Sequence, residues 1–186
     1  MYNQTEKVYN GGYGLEFAFE TVYNQKTLTA MAKAVRKTTR AKRSRKSRIA
    51  AGVFILLGTV LIVNDILNSN FDFKTFITLL AVAAMVFVLP FEDSLNAYLA
   101  GKRMVSGTET ARVEFKADSF VSRTEAGTTE FNYTIIQAVA ETGDYIIFVL
   151  DKNHAQAYDV TSIVNDTKEQ FVEFIEQKTG KKVQKI

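Results

Sequence analysis

The chain has 186 residues, of which 47% are hydrophobic, and its 23 Lys/Arg and 20 Asp/Glu residues give a formal net charge of +3. It contains no cysteine, which excludes a disulfide framework and thiolate chemistry at a metal, redox or nucleophilic site. Outside its apolar segments, the chain has room for one modest domain of about 80 to 100 residues.

The N-terminal arm, residues 1–24, contains a glycine-rich stretch followed by a strand pattern. Leu15, Phe17 and Phe19 alternate with charged or small residues, which predicts a strand over 15–22 with one apolar face. The C-terminal region holds six further strand-like segments. We therefore expect the strand over 15–22 to join the C-terminal sheet and to bury Phe17 and Phe19.

Residues 25–48 form a basic segment with a helical pattern. Leu28, Met31 and Val35 recur at helical spacing, and neither Gly nor Pro interrupts the segment. We expect a stalk helix that runs from about Lys26 directly into the apolar run that follows. The apolar stripe favours docking on the C-terminal domain; a helix solvated on all sides is the alternative.

Two apolar runs follow, over 49–63 and 75–91, and neither contains an ionisable side chain. Extended into the interface, they predict spans at about 49–67 and 73–91, close to the roughly 20 residues needed to cross the hydrocarbon core. Residues 49–107 therefore read as a transmembrane hairpin with a helical extension that ends near Gly101 or Gly107. A buried helical hairpin in a soluble protein is the alternative.

Charge asymmetry predicts the orientation of this hairpin. Nine Lys/Arg residues and no acidic residue lie between 33 and 48, whereas Lys74 is the only basic residue between the two apolar runs. By the positive-inside rule, both termini are cytoplasmic and the connecting loop lies outside.

The end of the basic segment is also the candidate binding site. Lys and Arg near an anionic membrane surface each contribute about 1 kcal/mol of attraction. A nucleic-acid patch would need aromatic stacking partners, and residues 26–48 contain no aromatic side chain, so we expect no nucleic-acid partner. The residues assigned to contact with anionic lipid are Arg40, Lys42, Arg43, Arg45, Lys46 and Arg48.

Residues 108–186 have the pattern of a small antiparallel β domain closed by a helix. Asp166 and Glu169 predict the helix start, and Gly180 predicts its end. Phe171 and Phe174 lie on its apolar face. Turn sequences separate the β-type segments, which cover 112–116, 119–125, 128–133, 136–141, 145–150 and 155–160.

Residues that carry chemistry are scarce. His154 is the only histidine, and neither a second histidine nor a cysteine exists to complete a zinc shell. We therefore expect no catalytic site, no metal site and no cofactor. Residues 108–186 carry nine basic and thirteen acidic side chains, and this net −4 charge argues against anionic lipid binding by the whole domain.

The order of these elements carries a family resemblance. Two spans follow a strand and a stalk, and residues 114–180, from EFKADSF to FIEQKTG, follow the spans. With Tyr133, Ile135 and Ile136 at a strand start, this order resembles the YcxB-like family of small bacterial membrane proteins. Residues 158–163 lack the proline and lysine that the family usually has there.

The resemblance implies an α+β membrane protein of the bacterial plasma membrane. Its two-helix transmembrane hairpin would carry a small antiparallel pleckstrin-homology-like β-barrel, over 108–186, capped by the C-terminal helix. The sequence thus predicts a membrane-anchored, non-enzymatic interaction or scaffold protein that contacts membrane lipids and either binds an unknown protein or self-associates. A regulator or immunity-type protein that acts through the hairpin is the alternative. An intramembrane enzyme would need buried ionisable residues, which both runs lack.

Overall fold

The computed structural model describes residues 17–163 and 167–186. Within these ranges the chain forms eight strands, four α-helices and two short 3₁₀ turns, Tyr133–Ile135 and Val160–Ser162. In chain order the main elements are β1 (Phe17–Val22), α1 (Gln25–Lys37), α2 (Ala41–Leu67), α3 (Phe73–Gly101), β2 (Thr110–Phe115), β3 (Ser119–Thr124), β4 (Gly127–Asn132), β5 (Ala138–Thr142), β6 (Tyr145–Val149), β7 (Ala155–Asp159), α4 (Lys168–Thr179) and β8 (Val183–Lys185).

The strands form two four-stranded sheets. The first has the order β1-β2-β3-β4, and the second has the order β7-β6-β5-β8, in which β8 runs parallel to β5. Phe17 lies opposite Phe115 and Val22 lies opposite Thr110, so β1 pairs with β2 across the intervening helices. Leu15 lies outside the described residues. We call β1 to β8 together with α4 the sheet domain, and α2 with α3 the apolar hairpin.

The α+β class is confirmed, but the predicted barrel is wrong because neither sheet closes. Where β1 and β7 approach each other, side chains join them. Thr21 Oγ1 accepts a hydrogen bond from the Asp159 N–H at 3.1 Å, and Ser162 Oγ accepts one from the Glu20 N–H at 3.1 Å. The chain leaves β7 at Asp159 for a 3₁₀ turn, which ends that strand beside β1. The short strand β8, which the sequence did not predict, makes the second sheet mixed.

An aromatic core fills the space between the two sheets and α4. Phe19 from β1 packs in a tilted arrangement against Phe171 from α4, with ring centroids 4.5 Å apart, and the ring of Phe17 lies 5.2 Å from the same Phe171 ring. Phe115 lies 5.0 Å from Phe171 and 5.8 Å from Phe148. The N-terminal strand therefore supplies two rings to a core made otherwise by residues after the hairpin.

Helix α1 covers the outer face of the second sheet. Every residue of β6 is buried, because Ile146 and Phe148 belong to the aromatic core while the alternate residues face α1. Ala30 and Ala34 of α1 pack with these alternate residues in a second hydrophobic cluster. Met31 and Val35 also pack here, which confirms the predicted docking for these two, whereas Leu28 lies against α3 at Gly101. The other members from the sheet are Ala138, Ala140, Tyr145, Ile147, Val149 and Ala157.

The continuous helix predicted for residues 25–48 is interrupted. Helix α1 ends at Lys37 and α2 begins at Ala41. The Thr38 hydroxyl donates to the Ala34 carbonyl at 2.7 Å, and the Thr39 hydroxyl donates to the Val35 carbonyl at 3.4 Å. Such side-chain bonds compete with the helical backbone ladder, so the two threonines favour a break here. As a result, α1 stays on the sheet domain while α2 leaves it.

One predicted helix end is shifted and two are confirmed. Helix α4 starts one residue later than predicted, because Thr167 accepts a hydrogen bond from the Gln170 N–H and the Gln170 side chain accepts one from the Thr167 N–H. Asp166 lies outside the described residues. At the other end, Gly180 has φ +65° and terminates the helix as predicted. The extension of α3 ends at Gly101, also as predicted.

Candidate functional site at the base of the apolar hairpin

The apolar hairpin exposes nearly all of its apolar surface. By length and composition, α2 and α3 could each cross a membrane. Only 11% of the most apolar 18-residue stretch of α2 is buried, and only 6% of that of α3. A core helix of a soluble protein would bury most of this surface. The structure therefore does not cover the hairpin with other parts of the described chain.

The two helices of the hairpin contact each other closely. A Cβ at Gly58 would lie 2.5 Å from Val82 Cγ2, so only glycine fits at this point without movement of α3. At the loop end, Thr75 Oγ1 donates to Asp65 Oδ2 at 2.6 Å, and Asp72 caps α3 by accepting from the Thr75 N–H at 3.0 Å. These contacts hold the hairpin together at its middle and at its loop.

At the opposite end, ion pairs join the hairpin to α1. Arg36 of α1 donates two hydrogen bonds to Asp93 of α3, both of 2.6 Å, and each side chain is only 15% exposed. These bonds raise the pKa of Arg36 above its ordinary value. Arg48 of α2 pairs with Glu92 at 3.2 Å and donates to the Leu89 carbonyl at 3.3 Å. Helices α1, α2 and α3 are thus tied together where the apolar surface ends.

The six residues predicted to contact lipid do not form one surface. Arg40 donates to Asn153 Oδ1 of the sheet domain at 2.5 Å, and Arg48 is held by Glu92. The remaining four are exposed, and within the described part of the chain none has a hydrogen-bond or ion-pair partner; they are Lys42, Arg43, Arg45 and Lys46. The predicted set therefore contains two residues fixed by the protein and four that are free to meet a ligand.

A cleft of about 420 Å³ opens where α1 ends and α2 begins. Of the six predicted residues, only Arg45 and Arg48 line it. The sequence did not predict the rest of the cleft, because a continuous helix over residues 25–48 would have no break at which a cleft could form. The pair Thr38-Thr39 is the signal that could have suggested the break. The lining residues are Arg36, Lys37, Ala41, Ser44, Arg45, Arg48 and Ile49.

The charges around this cleft are unevenly compensated. Asp93 and Glu92 offset Arg36 and Arg48 from the α3 side. Among residues 17–163 and 167–186, neither Lys37 nor Arg45 has an acidic partner. The cleft can therefore accept an anion, and its residue Ile49 begins the apolar run that extends along α2.

Other polar groupings offer less chemistry. His154 Nδ1 lies 2.6 Å from Asp151 Oδ2 in an exposed turn, where the Asn153 N–H and this histidine lower the pKa of Asp151. In the described ranges, no group of three or more His, Asp or Glu side chains is placed to hold a metal ion. A second cleft, of about 230 Å³, lies beside Tyr23 and Gln156, and none of the described residues that line it is charged.

Comparison with known proteins adds no relative. Searches of protein-family models, curated proteins and solved structures for matches to this chain gave none. The resemblance to the YcxB-like family therefore rests on the order of elements and on the sequence pattern of residues 114–180.

Proposed function

We propose that this chain is a membrane-anchored, non-enzymatic interaction or scaffold protein of the YcxB-like type. In this proposal, the apolar hairpin crosses a bacterial plasma membrane and the sheet domain is a cytoplasmic, pleckstrin-homology-like module. The observation that carries the proposal is the exposed apolar surface of the hairpin, which includes Phe54, Leu56 and Phe87. Monomeric soluble proteins rarely expose apolar patches beyond a few hundred Å², whereas hydrocarbon solvates such surface without penalty.

The position of the basic segment supports the cytoplasmic placement. The sheet domain packs on α1 and contacts the start of α2 through Arg40 and Asn153, so it lies at the basic end of the hairpin. The loop between α2 and α3 lies at the other end of the hairpin, and Lys74 is the only basic residue between the two apolar runs. The positive-inside rule favours the cytoplasm for the end that carries the arginines and lysines.

A sheet edge that has no partner strand in the described part of the chain supports the interaction role. Strand β4 is the last strand of the first sheet, and five of its six residues are exposed. An edge strand presents unpaired backbone N–H and C=O groups to which a strand of a partner can add. A scaffold domain could recruit a protein, or a second copy of itself, in this way.

A second candidate function is a regulator that acts through the hairpin on a membrane target. Gly52 favours it, because a Cβ at this position would meet no atom of the described chain within 4 Å apart from its neighbours and the backbone of its own helix. A glycine on an open face of a membrane helix lets another helix approach closely.

Membrane insertion and orientation can be tested in the full chain, which has no cysteine of its own. Asn70→Cys and Thr128→Cys each place one thiol at an exposed position, the first in the loop and the second in β4. A membrane-impermeant maleimide should label Asn70→Cys in intact cells and Thr128→Cys only after lysis. Labelling of Thr128→Cys in intact cells, or extraction of the chain from membranes by alkaline carbonate, would contradict the proposal.

A hairpin exchange separates the two candidate functions. Residues 49–91 would be replaced by an unrelated two-span hairpin of the same length, and proteins crosslinked in cells to this chain and to the wild type would be compared. Retention of the wild-type crosslinks supports the scaffold function. Their loss, with the exchanged chain still folded and inserted, supports action through the hairpin instead.

A further inference from the structure

We propose that the cleft between α1 and α2 is a defined binding site for the phosphate group of an anionic lipid. This inference rests on the proposed membrane function and deepens it by naming a ligand class and its place. A purely diffuse attraction by nine cations would need no particular geometry. The cleft instead combines free cations, fixed cations and an apolar neighbour in one place.

The free cations supply the net attraction. Lys37 and Arg45 both line the cleft and both are exposed, and in the described chain neither is neutralised by a carboxylate. Lys37 is the last residue of α1, and Arg45 lies in the second turn of α2. The break at Thr38–Arg40 therefore lies between two cations that line the same cleft.

The fixed cations supply geometry. Asp93 binds Nε and Nη2 of Arg36 at 2.6 Å each, and Glu92 holds Arg48 at 3.2 Å. A guanidinium has five N–H donors, so each arginine keeps donors for a second acceptor. Because these side chains are already positioned, a ligand loses little side-chain entropy by binding to them. Ser44 adds a hydroxyl to the lining.

The location of the cleft selects a lipid over a free anion. Ile49 lies in the cleft and is the first residue of the apolar run over 49–63. A phosphate in the cleft would therefore lie just outside the hydrocarbon layer, at the depth of lipid headgroups, with its acyl chains beside the apolar face of α2. The volume of about 420 Å³ lies within the roughly 300–1,000 Å³ range of small-molecule sites.

The chain contains a matched control for this proposal. Lys42 and Arg43 lie in the first turn of α2, are also exposed and are also unpaired in the described structure, but they do not line the cleft. Lys37→Gln/Arg45→Gln and Lys42→Gln/Arg43→Gln therefore remove the same charge from the same segment. Diffuse electrostatics would make the two double variants equal.

The experiment is native mass spectrometry of the full-length chain in a neutral detergent. Wild type and both double variants would be titrated with phosphatidylglycerol, with phosphatidylcholine and with inorganic phosphate, after circular dichroism has established equal helicity and melting. We expect the affinity for the first phosphatidylglycerol to fall at least about tenfold in Lys37→Gln/Arg45→Gln and less than about threefold in Lys42→Gln/Arg43→Gln. Phosphatidylcholine should bind the wild type more weakly, and millimolar inorganic phosphate should not displace phosphatidylglycerol.

Equal losses in the two double variants would overturn the site in favour of diffuse attraction. Displacement of phosphatidylglycerol by millimolar inorganic phosphate would overturn the lipid as ligand and leave a free-phosphate site. Cysteine labelling at Asn70 and Thr128 is independent of both results. If the labelling supports membrane insertion while the lipid titrations show equal losses, the cleft site fails and the membrane function stands; if the labelling fails, the membrane function fails first.

Discussion

Phenylalanine has opposite surroundings in the two halves of this molecule. In the sheet domain, Phe19 and Phe115 are 2% and 0% exposed and lie among other rings. In the apolar hairpin, Phe54 and Phe87 are 63% and 67% exposed. The same type of side chain is therefore buried in a core in one region and exposed on the outer surface in the other. This contrast fits the proposed function, in which the sheet domain buries its rings away from water and the hairpin lies in hydrocarbon.

The first and largest expected effect comes from removing one ring in each region. Phe19→Ala deletes a ring at the centre of the aromatic core, and losing a buried phenylalanine typically costs about 3–5 kcal/mol. Residues 108–186 should then become protease-sensitive, although Phe19 lies outside them. Phe54→Ala is the control and should leave the protease resistance of the sheet domain unchanged. Equal sensitivity in the two variants would remove the contrast between the regions.

The second prediction concerns the joint between the regions. Asp93→Ala leaves the largely buried Arg36 guanidinium without its two hydrogen bonds, which should cost about 1.5–3 kcal/mol of stability. Thermal unfolding in detergent measures this loss, and trypsin cleavage between residues 37 and 43 should accelerate. Lys26→Gln removes the exposed pair with Asp144 and should change little. Unchanged cleavage in Asp93→Ala would show that the sheet domain and the hairpin are not coupled through this pair.

The third prediction concerns packing inside the hairpin. Gly58→Ala places a methyl group 2.5 Å from Val82 Cγ2, and the stiff β-branched valine cannot rotate away easily. Overpacking should destabilise the hairpin by about 1 kcal/mol, whereas Gly52→Ala meets open space. Both changes raise helix propensity equally, so their difference in melting temperature in detergent isolates the contact. A Gly58→Ala variant at least as stable as Gly52→Ala would exclude close packing here.

The smallest expected effect is an alkaline transition within the sheet domain. Tyr23 packs against both hydrophobic clusters, and burial raises its pKa to about 12 from an ordinary value of 10.0. The folded state therefore disfavours the tyrosinate, so stability is full below about pH 10 and falls as pH rises towards 12. Near pH 11 the loss should be about 1 kcal/mol by chemical denaturation.

A conservative change identifies the source of this transition. Tyr23→Phe should reduce the loss of stability between pH 10 and 12, since phenylalanine has no ionisable hydroxyl. Tyr98→Phe is the control, because Tyr98 is exposed on α3. An identical alkaline transition in wild type and Tyr23→Phe would rule out this tyrosine as its cause.

Local patterns predicted much of the secondary structure. The two uninterrupted apolar runs lie within the helices α2 and α3. Continuous apolar runs of this length are too long for ordinary strands and therefore favour helices. Gly180 ended α4 because it adopts a left-handed backbone that other residues avoid. Alternation in the N-terminal arm predicted a strand, and β1 lies beside β2 in the structure.

The candidate site was predicted only in part. Composition located a basic segment before the first apolar run, and Arg45 and Arg48 of the predicted set do line the cleft. The sequence could not indicate that Arg40 binds Asn153 or that Arg48 binds Glu92. These partners lie 113 and 44 residues away along the chain, so the residues near Arg40 and Arg48 do not indicate them.

By itself, the sequence determined which segments are helices, which are strands and where the positive charge is concentrated, because these depend on residues close together in the chain. The tertiary structure alone decided that β6, apolar at every position, is covered on its outer face by α1. It also decided the break at Thr38–Arg40, the cleft beside it and the open arrangement of the two sheets. Each of these results from contacts between distant segments, such as the Arg36–Asp93 pair, whose energies appear only when the chain has folded.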